Sequence, residues 1–168
     1  MKKVITLCSF LLMACLFTQA QTTTIILLRH AEKDTSTAGS TMMQANPALS
    51  KEGEMRAASL PEVLKAYTPD LFYSTDYTRT RSTITPLAKK FGKEIAVYDP
   101  RKLADFAAEL QKITGKTIVV AGHSNTTPAL VNLLIGEKKY PNLDESVYNQ
   151  YWVVTINDGK AVAAQFSY

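Results

Sequence analysis

Past residue 20 the chain alternates between short, wholly apolar runs and longer segments with helical spacing. The runs are residues 25–28 (IILL), 71–73 (LFY), 95–98 (IAVY) and 118–121 (IVVA). The first of them ends in charges, as expected of a strand buried on both faces of a parallel sheet. Between them lie helix signals. Ser50 reads as an N-cap for a helix running toward Ala66, with Pro61 dividing it into two pieces. Residues 79–91 read as a second helix, kinked or restarted near Pro86 and stopped by Gly92. Residues 102–113 carry Leu103, Phe106, Leu110 and Ile113 at helical spacing. Pro128 suits the first turn of a helix bearing Leu130, Val131, Leu133 and Leu134. Residues 152–156 and 161–166 flank Asn157-Asp158-Gly159 and read as a terminal hairpin. Residues 34–48, rich in Thr, Ser, Gly, Asn and Met, read as a loop. This order predicts an α/β fold: a three-layer α/β/α sandwich with a mostly parallel central sheet and a C-terminal β-hairpin.

With 168 residues and 46% apolar composition, one domain with a substantial core is expected. The net charge of +4 suggests a polyanionic partner until residues 1–20 are set aside. They contain Lys2 and Lys3, an apolar run over 4–17, and then Thr18-Gln19-Ala20, the order of a secretory signal. The run is short for a bilayer span. Cleavage after Ala20 leaves a domain of residues 21–168 with a charge of +2, because the leader holds two lysines and no acid. Nucleic acid is therefore not an expected partner, nor is a membrane span expected in the mature form. The protein is expected to be exported, to the periplasm or beyond. Both cysteines, Cys8 and Cys15, belong to the leader, so the mature domain offers no disulfide and no thiolate. Leu12-Met13-Ala14-Cys15 loosely matches a lipoprotein cleavage site, but Leu16 and Phe17 continue the apolar run, and the Ala20 site is better placed.

The chemistry gathers at strand ends. The chain has two histidines, His30 and His123, and each lies just after an apolar run. Arg29 precedes the first, and the run at 71–73 leads through Ser74-Thr75-Asp76-Tyr77-Thr78 to Arg79. Ligands bind at the carboxyl ends of strands in open α/β sheets, so one crevice would receive two histidines and two arginines. Two cations beside two imidazoles make a poor metal site. They suit a phosphate dianion, whose oxygens match arginine forks, and a helix opening near Thr126 would add backbone N–H groups. A histidine there can act as a nucleophile toward phosphorus. No metal or organic cofactor is called for.

Taken together, Leu28-Arg29-His30-Ala31-Glu32-Lys33, Leu49-Ser50-Lys51-Glu52-Gly53, Ser74-Thr75-Asp76-Tyr77-Thr78-Arg79-Thr80 with Thr83, and Ala121-Gly122-His123-Ser124 resemble the histidine phosphatase (phosphoglycerate mutase-like) superfamily. The resemblance implies an α/β sandwich with His30 as the phosphorylated nucleophile and with Arg29, Arg79 and His123 binding the phosphoryl group. Ser124, Lys33 and Glu32 complete the expected substrate-binding set. The family commonly has Arg-His-Gly, where this chain has Ala31. A Ser or Thr often stands where Lys33 is, and a phosphate-contacting Asn where Ser36 is. Lys33 either supplies the missing contact or is solvated. About thirty residues separate Phe91 from His123, too few for the inserted Glu of the mutases. The chain therefore looks like the compact, bacterial phosphohistidine-phosphatase type.

A general acid should be a carboxyl near the crevice mouth. Asp99, just after the third run, is preferred over Glu32. The expected activity is an exported phosphomonoesterase acting on a small phosphorylated substrate through a phosphohistidine. The alternatives are a non-catalytic phospho-ligand binder on the same fold and a mutase-like phosphotransferase. The loops that would read the leaving group, 34–48 and 136–150, carry no recognisable code, and nothing in the sequence sets the oligomeric state.

Overall fold

The computed structural model describes residues 21–35 and 46–168. The leader with Cys8 and Cys15, and Ser36 in the first loop, lie outside the described residues. Six strands form one sheet in the order β3-β2-β4-β1-β5-β6. The elements are β1 (Thr23–Arg29), α1 (Lys51–Val63), β2 (Leu71–Ser74), α2 (Thr78–Lys90), β3 (Ile95–Val97), α3 (Leu103–Lys112), β4 (Thr117–Gly122), α4 (Thr126–Ile135), β5 (Gln150–Asn157) and β6 (Lys160–Ser167). Strands β3, β2, β4 and β1 run parallel, and β5 and β6 add an antiparallel hairpin at one edge.

Alternation along β1 builds the three layers, since successive strand side chains face opposite ways. Ile25 and Leu27 pack with Phe106, Leu110, Leu130, Leu134 and Trp152 under α3 and α4. Ile26 and Leu28 pack with Leu60, Phe72, Ile84 and Leu87 under α1 and α2. All four β1 residues are fully buried. The central strands are apolar on both faces because both faces are covered.

The expected division at Pro61 does not occur, and no restart occurs at Pro86. α1 runs through Pro61 and α2 through Pro86 without interruption, and α1 ends at Val63, short of Ala66. A proline removes one main-chain bond and crowds the preceding turn. Here each helix is held on both sides of its proline by buried residues: Leu60 and Leu64 around Pro61, Ile84 and Leu87 around Pro86. The hairpin forms as the sequence implies. Asp158 and Gly159 have φ of 48° and 74°, and positive φ at both central positions is what a tight type I′ connection requires.

The topology brings the ends of β1, β4 and β2 side by side. Arg29 pairs with Gly122, and Ser74 with Ala121. His30 and His123, each one residue beyond its strand, therefore emerge as neighbours.

Candidate active site

His30 sits on the floor of a crevice at these strand ends, only 4% exposed. Its Nδ1 lies 2.8 Å from the Ala31 carbonyl oxygen. A carbonyl only accepts, so Nδ1 carries the proton and Nε2 is left with its lone pair. The Ala31 N–H donates to Thr83 Oγ1 at 2.9 Å, and the Thr83 hydroxyl donates to the Arg79 carbonyl at 2.7 Å. The backbone that aims the imidazole is thus pinned to α2. Burial, with the fields of Arg79, Arg29 and His123, lowers the His30 pKa to about 3, against a smaller opposing effect of the Ala31 carbonyl. At neutral pH the ring is an uncharged base.

His123 meets His30 edge-on, with ring centroids 5.5 Å apart. Its Nε2 lies 3.0 Å from Thr75 Oγ1. The Thr80 hydroxyl bonds to the Thr75 and Tyr77 carbonyls, so the Thr75 hydroxyl donates to Thr80 Oγ1. Thr75 then has only lone pairs to offer, and the His123 proton must be on Nε2. That leaves Nδ1 bare, 3.4 Å from Arg79 Nη2, which donates to it. Burial first, then Arg79 and Arg29, lowers the His123 pKa to about 4. Gly122 is needed beneath this ring: a Cβ there would come within 2.7 Å of Thr127 Oγ1 and 2.9 Å of the Tyr98 hydroxyl.

Arg29 is 1% exposed. Its Nη1 donates to the carbonyls of Asp144, Glu145 and Val147 at 2.8–3.1 Å, and its Nη2 to Glu145 Oε2 at 2.8 Å. The Tyr148 ring covers the guanidinium at 4.1 Å, and Tyr77 covers that of Arg79 at 4.6 Å. Among the described residues, the buried Nε of neither arginine has a partner. A buried donor left unpaired costs about 1–3 kcal/mol. Two such donors beside a neutral imidazole suit an anion.

The family model of the histidine phosphatase superfamily (branch 1) matches residues 25–109. The chain belongs to this superfamily. It is a histidine-type phosphatase. No curated protein matches it. Its fold is similar to the mycobacterial glucosyl-3-phosphoglycerate phosphatase (14% identity, TM-score 0.67, 87% of this chain and 99% of that one). It is likewise similar to the protein histidine phosphatase SixA complexed with tungstate (15%, 0.67, 86% and 96%). A third likeness is to a phosphoserine phosphatase from Entamoeba histolytica in complex with phosphoserine (14%, 0.63, 84% and 95%).

Of the residues expected in this phosphatase's site, the structure brings together Arg29, His30, Arg79, His123 and Ser124. The two carboxyls expected as acids are engaged elsewhere. Asp99 lines the neighbouring hollow with Asp76 and Val97, and Arg101 grips it through Nε and Nη2 at 2.9 Å each. Those bonds and the Arg101 N–H hold its pKa at about 2, so it has no proton to give at neutral pH. Glu32 is forked by Arg56 of α1, with contacts of 2.7–3.0 Å. Burial pushes its pKa up, but the Arg56 bonds outweigh this and leave it lowered. Its backbone also explains Gly53: a Cβ there would sit 2.2 Å from the Glu32 carbonyl oxygen. The Lys-Glu-Gly motif is therefore packing around the β1 exit. Lys33 forms an isolated β-bridge with Leu49, and its charge helps to lower the Glu145 pKa. At the helix opening, the Thr127 N–H already donates to the His123 carbonyl.

Sequence reasoning missed Thr75, Tyr77, Tyr148 and Glu145. The first two lie within the Ser74–Thr80 segment, and their spacing to Arg79 is the available signal. The last two come from the 136–150 loop, where no local pattern announces them.

Proposed function

We propose that the chain is an exported phosphomonoesterase that turns over through a phosphohistidine on His30. The Nε2 lone pair of the buried His30, within the fields of two arginines whose Nε donors have no partner among the described residues, is the observation that carries this reading. Nε2 attacks phosphorus in line as the bond to the leaving oxygen breaks, and water then hydrolyses the phosphoramidate. Arg79 and the side-on edge of Arg29 hold the equatorial oxygens, where most of the catalysis of phosphoryl transfer lies. A bound dianion offsets the arginine fields that depress His123. Its Nδ1 then takes up a proton and donates to a phosphoryl oxygen. Tungstate, carried by the SixA relative, is an oxyanion of the same tetrahedral shape. Export rests on the leader-like order of residues 1–20 and the absence of cysteine from residues 21–168.

Rapid quench with a 32P-labelled aryl phosphate, followed by alkaline digestion, tests the reaction. Label is expected on the His30 peptide, stable to alkali and labile to acid. Label on His123, or an alkali-sensitive ester on Ser124, would reverse the roles. For export, the intact mass of protein released by a bacterial host is expected to begin at Gln21. A lipid-bearing Cys15 would replace secretion with anchoring.

A further inference from the structure

Glu145 is the one carboxylate among the described residues whose oxygens touch groups of the catalytic crevice on two sides. Oε2 accepts from Arg29 Nη2 at 2.8 Å, and Oε1 accepts from the Ser124 hydroxyl at 2.6 Å. Arg29 immediately precedes His30 and Ser124 immediately follows His123, so this carboxylate bridges the neighbours of both histidines, and its charge acts on His123. Its placement is built. The Glu145 main-chain carbonyl accepts from the same guanidinium at 3.1 Å, with those of Asp144 and Val147 beside it. The Leu143 N–H, two residues upstream, donates to the Ser124 carbonyl. The side chain itself is 72% exposed, open to solvent.

Arginine binds an oxyanion side-on through Nε and Nη2. On Arg29 the Nε is buried and has no partner among the described residues, while Nη2 holds Glu145. A phosphate taking that edge is brought against the Glu145 carboxylate. Two anions on one guanidinium repel, and the pair titrates as a unit that keeps a proton. In the free protein the Ser124 hydroxyl, followed by Arg29 and Lys33, keeps the carboxyl low. Arg79, His123 and Tyr148 are the other titratable groups facing it.

We propose that Glu145 is the general acid of the reaction, protonated from solvent as the substrate dianion binds. This rests on the phosphomonoesterase reading above. As His30 Nε2 forms its bond to phosphorus and the ester P–O bond breaks, the Glu145 O–H proton passes to the leaving oxygen. The products are an alcohol and a carboxylate. The carboxylate then takes a proton from the water that attacks the phosphohistidine, and as phosphate departs Glu145 returns that proton to solvent, which restores the starting state. The role expected of Asp99 or Glu32 thus falls to a residue over a hundred positions from His30.

A leaving-group series tests this. Glu145→Gln keeps the shape of the side chain and its bond to Ser124 but has no proton to give. Proton donation contributes about 100-fold or more where the leaving group is basic. Glu145→Gln is therefore expected to slow alkyl phosphates by about 100-fold more than an activated aryl phosphate. It is also expected to remove the alkaline limb of the wild-type pH profile on alkyl esters. Circular dichroism and thermal melting of the variant establish that it is folded. An equal loss across the series makes Glu145 a binding or packing group and overturns the proposal. So does a lower KM with unchanged leaving-group dependence, which is the result for a carboxylate that merely competes with phosphate. A wild type inert toward every ester, aryl included, overturns both this proposal and the phosphomonoesterase reading. An active wild type with an indifferent Glu145→Gln overturns this one alone.

Discussion

The floor and the rim of the crevice are built on opposite plans. On the floor, His30, Thr75, Thr80 and Thr83 are buried, and a chain of hydroxyls and carbonyls fixes each ring to one tautomer. On the rim, the 144–147 turn is laid over the Arg29 guanidinium, and Glu145 reaches in from solvent. A nucleophile has to wait in one orientation and one protonation state, which burial and neutral hydrogen bonds provide. Groups that meet the substrate and release the product have to exchange partners, which an exposed carboxylate can do without leaving an unpaired charge in the interior.

The largest effect should come from the floor. His30→Ala is expected to abolish covalent labelling and to lower turnover on the order of 10⁴-fold or more, the scale for removing a nucleophile. His123→Ala should slow turnover yet still trap label on His30. If the His30→Ala protein turns over, the floor is not where the chemistry occurs. Next comes Arg79→Ala, which removes charge-assisted donors that strengthen in the transition state, at about 2–4 kcal/mol. Arg79→Lys should recover only part of this, because an ammonium lacks the fork. Steady-state kinetics that leave either variant at wild-type turnover would exclude Arg79 from the site.

Acid should strain the floor before the rim. The histidine pKa values are near 3 and 4 in the folded protein and near 6.5 in the unfolded chain. Between those values the unfolded state binds more protons, so stability is complete above pH 6.5 and falls as pH drops toward 4. Urea unfolding from pH 7 to pH 4.5 should show this decline, and it should be shallower in His123→Gln. An equal slope in the variant would mean that His123 titrates normally. A smaller loss is expected for Thr83→Val, which strands the buried Ala31 N–H and should cost about 1–3 kcal/mol of stability. Denaturant midpoints would report it. The smallest effect belongs to Asp99→Asn outside the crevice. Its pair with the 88% exposed side chain of Arg101 is of the kind worth at most about 1 kcal/mol. Turnover on alkyl phosphates should stay within about threefold of wild type, well below the loss for removing a general acid. A selective loss on those esters would return the acid to Asp99.

The amino-acid sequence alone determined the layers of this protein and the floor of its site. Apolar runs such as 25–28 and 118–121 are readable because a strand covered on both faces admits few polar side chains. His30 and His123 are legible because strand ends are where such sheets expose side chains to a crevice. The Asp158-Gly159 turn is legible because so few residue types accept positive φ. What only the tertiary structure decided is the partner of each charge. Asp99 and Glu32 looked suitable as acids until folding set Arg101 and Arg56 against them. Both helices passed through their prolines because neighbouring core residues held them in place. Glu145 meets Arg29 across 116 positions of chain. Local pattern reflects backbone geometry and burial, whereas a carboxylate's protonation depends on whichever cation the fold brings within a few ångströms, and that pairing has no local signature in the sequence.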